Sequence, residues 1–308
     1  MTNVGSEVSN NKWSAAVEAI NTGVSATFAG IVTELLFYGL DSYKVVQQAG
    51  EKVKISKLYR GALPVALAGA GPSYLVFFGL YNPIRNVIDD RMGPGVESVS
   101  VLVASLVAGI PSSIVYVPAD VLKKHVLLGT TTRSADGKVP SLWQTAKHLV
   151  KTEGVERLFL GWRANLYKDV AFSAIKMTMY ESLARMYLNF KTAKDGSAGN
   201  SEPADHVVNA DSLNSIEAAG VGFVSGMSTA VLTCPIDCVN SRIKSGELAR
   251  FGVMSAHFEI IRKDGVAALF RGVAARSVLL GVGSTVFWYL QSSTMKFITG
   301  SEGGGHGH

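Results

Sequence analysis

The stretch Pro118-Ala-Asp120-Val-Leu-Lys123 decides the fold, because related versions of it occur twice more in the chain. The other two copies are Gly39-Leu-Asp41-Ser-Tyr-Lys44 and Pro235-Ile-Asp237-Cys-Val-Asn240. Eleven residues before each aspartate the chain has a glycine, and four residues before that glycine it has another small residue. The glycines are Gly30, Gly109 and Gly226, and the small residues are Ala26, Ser105 and Gly222. Three copies with the same spacing predict three homologous modules.

A second short motif follows each aspartate motif. Its copies are Leu58-Tyr-Arg-Gly61, Leu158-Phe-Leu-Gly161 and Leu269-Phe-Arg-Gly272. An acidic residue and a glycine precede the last two copies, at Glu153-Gly154 and Asp264-Gly265. The period is about a hundred residues, which is longer than the period of short solenoid repeats. We therefore predict repeats at 15–95, 96–190 and 214–300, with a flexible loop at 191–213.

The composition places these modules in a membrane. Of the 308 residues, 47% are hydrophobic and only 17% are charged, whereas about 25% are charged in ordinary soluble domains. Four charge-free runs, each about as long as a bilayer crossing requires, cover 62–84, 98–119, 218–236 and 277–295. Two further apolar segments, 21–48 and 161–190, contain charges that normally face a bundle interior or a water-filled cavity. The predicted fold is an all-α membrane protein with six transmembrane helices, two in each of three pseudo-threefold related repeats.

Two local features refine this prediction. Pro118 and Pro235 each remove a backbone donor, so a kink is expected where the first helix of a module reaches its aspartate. The spacing of small residues gives the same helix a flat face for close helix contact. Together these features predict three kinked helices around a pseudo-threefold axis. Amphipathic segments such as 142–150 predict short helices that lie on the membrane surface between the long helices of each repeat.

Residue patterns argue against several other functions. The formal net charge is +5, but the basic residues are scattered, so we expect anionic lipid headgroups as partners and no nucleic acid. The chain has no pattern of nucleophile, base and orienting group, so neither an enzyme nor a cofactor is expected. Cys234 and Cys238 lie one helical turn apart without further ligands, which favours helix packing over a metal or redox role. The histidine-containing tail at 303–308 is typical of a disordered segment.

The threefold motifs resemble those of the mitochondrial carrier family, whose repeats contain Pro-x-(Asp/Glu)-x2-(Lys/Arg) and later (Asp/Glu)-Gly-x4-aromatic-x-Gly. The resemblance spans residues 15–298. It implies a ring of interhelical pairs that closes a central cavity on the matrix side. The implied partners are Asp41 with Lys123, Asp237 with Lys44, and Asp120 with Asn240, the last by a hydrogen bond only. Gln48, seven residues after Asp41, matches the glutamine that braces such a pair in this family.

The family also has a gate on the cytoplasmic side, formed by (Phe/Tyr)-(Asp/Glu)-x2-(Lys/Arg) on the even-numbered helices. This chain has Tyr81-Asn-x2-Arg85, and it has Tyr180-Glu181 without a basic residue three positions later. The resemblance therefore implies a depleted cytoplasmic gate with Arg85 and Glu181 as its remaining members. Charges at solvated helix ends explain these two residues equally well.

Within this family, the segments 34–41, 168–175 and 272–276 are most similar to S-adenosylmethionine carriers, although Ala171 and Ala275 stand where the family has proline. The resemblance implies alternating-access transport of S-adenosylmethionine in exchange for S-adenosylhomocysteine. It also implies a monomer in the mitochondrial inner membrane or a plastid envelope, with anionic lipids such as cardiolipin as partners. Another cationic or nucleotide-like solute, iron, and a transport-dead scaffold of the same fold are the alternatives.

The charged residues of the apolar segments supply candidate contacts for such a substrate, which carries two cationic centres and a carboxylate. Glu34 and Asp169 are candidates for the cations, and Lys168 or Arg276 for the carboxylate. Glu34 lies almost two helical turns before Asp41, so the two carboxylates share a helix face. A local ion pair between Lys168 and Asp169, which would only lower the cost of membrane insertion, is the alternative for these two residues.

Two further residues complete the predicted site. Tyr74 could hold the sulfonium or the adenine ring by its aromatic face, and packing within the helix bundle is the alternative. Lys176 shares a helix face with Asp169. It is expected either to contact the substrate or to help open the gate, and no metal ligand is expected at this site.

Overall fold

A computed structural model describes residues 3–51, 55–92, 97–128, 141–194 and 215–299. Most of the predicted loop, from residue 195 onward, and the histidine-containing tail lie outside the described residues. The helices before the third repeat are α1 (Asn3–Ala49), α2 (Ala62–Met92), α3 (Glu97–Leu128), α4 (Leu142–Glu153) and α5 (Trp162–Lys194). They are followed by α6 (Ser215–Leu232), α7 (Cys234–Lys244) and α8 (Val253–Asp264). The last helix, α9, consists of Val273–Val278, a π-helical turn at Leu279–Gly283, and Ser284–Thr299.

Six long segments provide the membrane crossings. The stretches long and apolar enough to cross a membrane are Ala19–Ala49, Ala62–Met92, Val99–Leu128 and Val266–Thr299. Gly220–Leu232 and Cys234–Lys244 qualify together as one span that is bent by 57°. The sixth, α5, has 33 residues, which is ample for a hydrocarbon core of ~30 Å, but its charges make it less apolar than the others. The predicted six-helix membrane fold is confirmed.

The six spans form a closed ring in which each contacts the next along the chain. α1 packs on α2, α2 on α3, α3 on α5, α5 on α6, and α6 on α9. Contacts between α9 and α1 close the ring. A chain of three helical hairpins is expected to close in this way, because each hairpin buries its apolar faces only against its neighbours. The aspartate motifs of α1, α3 and α7 are thereby brought together from three sides.

The three motif-bearing helices differ at the predicted kinks. α1 and α3 continue without a break through their aspartate motifs, whereas the third divides at Thr233. α1 has Gly39 at the position of the proline and so loses no backbone donor. Pro235 lies in the first turn of α7, where the missing N–H has no partner in any case. The kink predicted at Pro235 is confirmed by the 57° bend between α6 and α7, whereas α1 and α3 are continuous and kinks within them stay a prediction.

The small-residue faces are also used unequally. A Cβ placed on Gly30 would lie 2.1 Å from the ring of Tyr74, so this ring packs directly on the backbone of α1. Cβ atoms placed on Gly109 and Gly226 would meet nothing within 4 Å. The expected close helix contact at the motif glycine is thus present in the first repeat and absent around the other two glycines within the described part of the chain.

Short helices connect the long ones, as predicted. α4 begins with a capping box in which Ser141 and Gln144 exchange hydrogen bonds, and it buries Leu149 while exposing Trp143. The acid-Gly motif ends α4 and α8, where Gly154 and Gly265 have φ of 86° and 79°. These values favour glycine, because side chains with a Cβ rarely adopt the left-handed region. That α4 and α8 lie on the membrane surface stays a prediction.

The acid of that motif also has a structural task in the third repeat. Arg242 of α7 is buried and donates hydrogen bonds to the carbonyl oxygen of Gln48 at 2.8 Å and to Asp264 at 2.7 Å. The hydrogen bond from Arg242 holds the pKa of Asp264 below its usual range. One guanidinium therefore ties the end of α1, the last turn of α7 and the end of α8 together.

Candidate functional site

Apart from Lys176, the charged residues predicted for the substrate and for the gate at the aspartate motifs lie in two clusters. The first cluster consists of Glu34, Asp41, Lys44, Gln48, Lys123, Asp237 and Arg276. The second cluster consists of Asp120, Lys124, Asn165, Lys168, Asp169, Asn240 and Lys244. Residues three and four apart share a helix face, so the motifs of α1 and α3 each present an acid and a cation to their neighbours, whereas the motif of α7 presents Asp237 and Asn240.

Lys123 of α3 joins two acids of α1 in the first cluster. Its ammonium lies 2.7 Å from Asp41 Oδ2 and 3.1 Å from Glu34 Oε1. The same ammonium stands 3.9 Å from the centre of the Tyr38 ring, and its side chain is 1% exposed. The expected contact between Asp41 and Lys123 is therefore present. Glu34 belongs to this contact rather than standing apart as a separate acid for a substrate.

Asp237 of α7 collects the remaining partners of the first cluster. Its Oδ2 lies 3.5 Å from Lys44 Nζ and 2.7 Å from Arg276 Nη1. Gln48 donates a hydrogen bond to the same oxygen at 2.9 Å. The expected contact between Asp237 and Lys44, with Gln48 as its brace, is thus present. Arg276 also donates to the hydroxyl of Thr233 at 2.8 Å, so its guanidinium is fully engaged with α6 and α7.

The third contact differs from the expectation. Asp120 Oδ2 lies 2.7 Å from Lys124 Nζ and 2.7 Å from Lys244 Nζ, so Asp120 takes part in ion pairs rather than in a hydrogen bond with Asn240. The amide of Asn240 donates instead to Asn165 Oδ1 at 3.5 Å. The physical reason is charge. Two buried ammonium groups form ion pairs with Asp120, and the neutral side chain of Asn240 would give it a weaker interaction.

Within the second cluster, Asn165 of α5 connects the ion pairs of Asp120 to the predicted substrate residues Lys168 and Asp169. Its Oδ1 accepts a hydrogen bond from Lys244 at 2.7 Å, and its amide donates to Asp169 Oδ2 at 2.8 Å. Asp169 Oδ1 lies 3.0 Å from Lys168 Nζ. The local ion pair considered for Lys168 and Asp169 is therefore present, and it is linked through one amide to Asp120.

The two other predicted substrate residues have different surroundings. Lys176 is exposed, its ammonium lies 5.9 Å from the centre of the Phe172 ring, and no acid pairs with it among the described residues. Tyr74 stacks on Phe287 at 5.1 Å between ring centres and also lies beside Phe78. Packing between α1, α2 and α9 thus accounts for Tyr74, whereas Lys176 keeps a cation available.

Of the residues predicted for the opposite gate, Arg85 is the one whose side chain the structure describes. Arg85 Nε lies 3.4 Å from Asp89 Oδ2, one turn along the same helix, and the Arg85 side chain is 40% exposed. The side chain of Glu181 lies outside the described residues. The structure thus shows cross-helix ion pairs at the aspartate motifs and an intrahelical pair at Arg85.

Formal charges distinguish the two clusters. The first cluster contains three acids and three cations and is neutral. The second contains the acids Asp120 and Asp169 and the cations Lys124, Lys168 and Lys244, and so has one excess positive charge. No group of three or more possible metal ligands occurs in the part of the chain that is described.

Sequence reasoning missed Lys124, Asn165 and Lys244. A signal for Lys244 was available, because it follows Asp237 by seven residues, as Gln48 follows Asp41. Lys124 follows Asp120 by four residues, which is the spacing of an intrahelical ion pair. Nothing in the sequence marks Asn165, whose importance depends on the neighbours that α5 meets.

The chain was compared with known proteins. A family model described as "Mitochondrial carrier protein" matches residues 95–191 and 211–302. The chain is 28% identical over 273 residues to S-adenosylmethionine carrier 1, chloroplastic/mitochondrial, of Arabidopsis thaliana, covering 87% of this chain and 76% of that protein. It is 24% identical over 271 residues to the mitochondrial S-adenosylmethionine carrier protein of Mus musculus, covering 86% and 89%. It is also 24% identical over 279 residues to the putative mitochondrial carrier protein PET8 of Saccharomyces cerevisiae, covering 86% and 89%.

Proposed function

The chain belongs to the mitochondrial carrier family, and we propose that it carries S-adenosylmethionine across an organelle membrane in exchange for S-adenosylhomocysteine. It is a multi-pass membrane protein and a transporter of that family. The observation that carries the choice of substrate is the similarity, over 86–87% of the chain, to two proteins named as S-adenosylmethionine carriers. Their names include chloroplastic and mitochondrial locations, which supports the mitochondrial inner membrane or a plastid envelope for this chain.

The charges of the second cluster support a substrate with both signs of charge. S-adenosylmethionine carries a sulfonium, an ammonium and a carboxylate. We assign the cationic end of the substrate to Asp169, whose side chain is 41% exposed. We assign the carboxylate to Lys176, which has no acidic partner among the described residues, together with Lys168. A charge-assisted hydrogen bond at each end fixes the orientation of the molecule.

The same proposal assigns the remaining residues to a gate. Glu34 and Arg276 contribute to the ion pairs around Asp41 and Asp237, so we assign them to the closed end of the cavity rather than to direct substrate contact. Closing one end with cross-helix ion pairs, while Arg85 pairs within α2 among the described residues, is the arrangement expected of one state of an alternating-access carrier. Substrate binding supplies the free energy that opens the closed end, because a ligand shifts an equilibrium by its differential affinity for the two states.

Uptake into proteoliposomes tests the proposal. Vesicles that contain S-adenosylhomocysteine should take up labelled S-adenosylmethionine with saturation, and empty vesicles should take up much less. Asp169→Asn should reduce uptake at least about tenfold, the scale of one charge-assisted hydrogen bond. The matched control is Glu153→Gln, which removes an acid whose ion pair with Arg157 lies outside both clusters.

Three outcomes separate the alternatives. Saturable uptake of another cationic or nucleotide-like solute, or of iron, with none of S-adenosylmethionine would reject the substrate and keep the transport function. Absence of saturable flux for every solute would favour the transport-dead scaffold, which the intrahelical pairing of Arg85 motivates. Equal uptake by Asp169→Asn and Glu153→Gln would reject the assigned contact.

A further inference from the structure

We propose that Lys244 is the third cation of the gate, in place of residue 240, so that the contact between the second and third repeats is shifted by one helical turn along α7. This inference rests on the proposed function, because it assigns a positioning residue to the same gate. The starting observation is that Asp120 of α3 contacts Lys244 of α7 at 2.7 Å, while Asn240 contacts Asn165.

The internal repeat identifies the position that Lys244 occupies. Gln48 follows Asp41 by seven residues, and Lys244 follows Asp237 by seven residues. Gln48 of the first repeat donates to Asp237 of the third at 2.9 Å, and Lys244 of the third repeat donates to Asp120 of the second at 2.7 Å. The two side chains point in the same rotational sense around the ring. Lys244 therefore stands where the first repeat has its brace, with an ammonium in place of an amide.

The geometry of α7 explains why this substitution works. Residues 240 and 244 are four apart and lie on the same face of the helix, one turn from each other. A lysine side chain is longer than an asparagine side chain by two methylene groups, so its ammonium reaches back to the level of Asp120 from one turn away. Lys244 is 0% exposed in this position. A buried ammonium needs a paired acid, and Asp120 is the acid that it meets.

The environment of Asp120 also distinguishes this arrangement from a chance contact. Lys124 and Lys244 both contact Asp120 Oδ2 at 2.7 Å, but only Lys244 comes from another repeat. Asn165 accepts a second hydrogen bond from the Lys244 ammonium at 2.7 Å. Lys244 thus holds α3, α5 and α7 together, whereas Lys124 neutralises Asp120 within its own helix. Opening the gate requires the Lys244 contact to break.

The inference predicts the effects of placing a lysine at position 240 and of removing the one at position 244. Asn240→Lys alone would add a third ammonium beside Asp120, so we expect it to lower the melting temperature. Lys244→Gln alone would remove the cross-repeat ion pair and should lower the melting temperature by roughly 5 °C or more. The double variant Asn240→Lys with Lys244→Gln would give the third repeat the pattern that the first has at Lys44 and Gln48. It should recover most of both losses.

The experiment measures the melting temperature of the purified full-length protein without substrate, and the exchange rate in proteoliposomes, for the two single variants and the double variant. Lys263→Gln is the matched control, because Lys263 is 57% exposed and pairs with Glu259 on the surface helix α8. Recovery of both readouts by the double variant supports the inference. A Lys244→Gln variant that melts and exchanges as the control does would overturn it, as would a double variant no better than the worse single one.

Two provisions keep the result decisive. If Lys244→Gln does not fold, the double variant still tests the inference. It can fold and exchange at near wild-type levels only if the lysine at position 240 forms the ion pair with Asp120. If the wild-type protein fails to exchange S-adenosylmethionine, the proposed substrate is rejected. The pattern of melting temperatures still decides on Lys244, because it needs no substrate.

Discussion

At the residue scale, Lys123 is shared between two acids of α1, because its ammonium contacts Asp41 and Glu34 and also lies over the ring of Tyr38. A buried ammonium with two carboxylates tolerates the loss of one better than the loss of both. Asp41 differs from Glu34 in having a second partner, Lys44, at 2.9 Å. The two acids therefore offer a matched pair of changes at one site.

We expect Asp41→Asn to destabilise the protein by about 2 kcal/mol and Glu34→Gln by about 1 kcal/mol, on the scale of charged hydrogen bonds. Asp41→Asn weakens contacts to two lysines, whereas Glu34→Gln leaves Lys123 its shorter ion pair. Thermal unfolding in detergent at matched expression measures the difference. Equal shifts for the two variants, or a larger shift for Glu34→Gln, would contradict this partition.

The residue scale also shows how far a repeated motif predicts contacts. The resemblance of the motifs to those of the carrier family was enough to pair Asp41 with Lys123 and Asp237 with Lys44. It was not enough for Asp120, since the deciding residue, Lys244, lies outside the motif. Glu34 and Arg276 were recognisable as charges in apolar segments. Whether such a charge meets a substrate or another helix depends on cross-helix distances, which a single sequence does not contain.

At the scale of elements, α1 and α2 are fitted to each other through glycine. The ring of Tyr74 on α2 occupies the space over Gly30 of α1, and Phe287 of α9 stacks on the same ring. A methyl group on Gly30 would require this three-helix contact to separate. Because Gly30 has no Cβ, α1 and α2 approach each other more closely than any other residue at this position would allow.

We expect Gly30→Ala to lower stability by roughly 1 to 3 kcal/mol, the cost of overpacking a close contact. Gly109→Ala is the internal control, because a Cβ at that position meets nothing within 4 Å and alanine favours the helix by up to about 1 kcal/mol. Melting temperatures of the two variants should move in opposite directions or differ by several degrees. Similar losses in both would show that the close contact at Gly30 is not what distinguishes them.

The helices themselves were more predictable than their interruptions. Long charge-free runs locate four crossings, and the repeat supplies the other two, so the six-helix fold follows from the sequence. The site of the helix division does not, because a proline inside a helix removes a backbone hydrogen bond but the sequence does not say whether the helix ends there or continues through it. Pro235 begins α7, while Pro118 remains inside the continuous α3. The π-helical turns of α2 and α9 likewise have no signal in the repeat.

At the scale of the whole molecule, Asn165 lies between the gate and the proposed substrate residues. Lys244, on its gate side, and Asp169, on its substrate side, are both within hydrogen-bonding distance of one amide group. A substrate cation that takes over Asp169 competes with the amide of Asn165. The orientation of that amide then affects how firmly Lys244 is held beside Asp120.

A double-mutant cycle tests this link. Asp169→Asn and Lys244→Gln should show a coupling energy of at least about 0.5 kcal/mol in thermal stability, the lower limit for residues in one hydrogen-bond network. The coupling should vanish when both are made in an Asn165→Ala background. Additive effects in the wild-type background, or coupling that survives Asn165→Ala, would show that the two residues do not communicate through this amide.

The empty space beside Gly109 and Gly226 bears on what these helices do when the molecule changes shape. Within the part of the chain that the structure covers, the glycines on these two helix faces have no packing partner in the conformation described above. They determine how closely two helix backbones can approach when the opposite end of the ring closes. A larger side chain at either glycine would then leave the conformation described above unchanged and would hinder only the conformation in which the opposite end is closed. Such a variant would be well folded, would bind its solute, and would turn over slowly, so a silent result in a melting curve would mark a residue of the transport cycle.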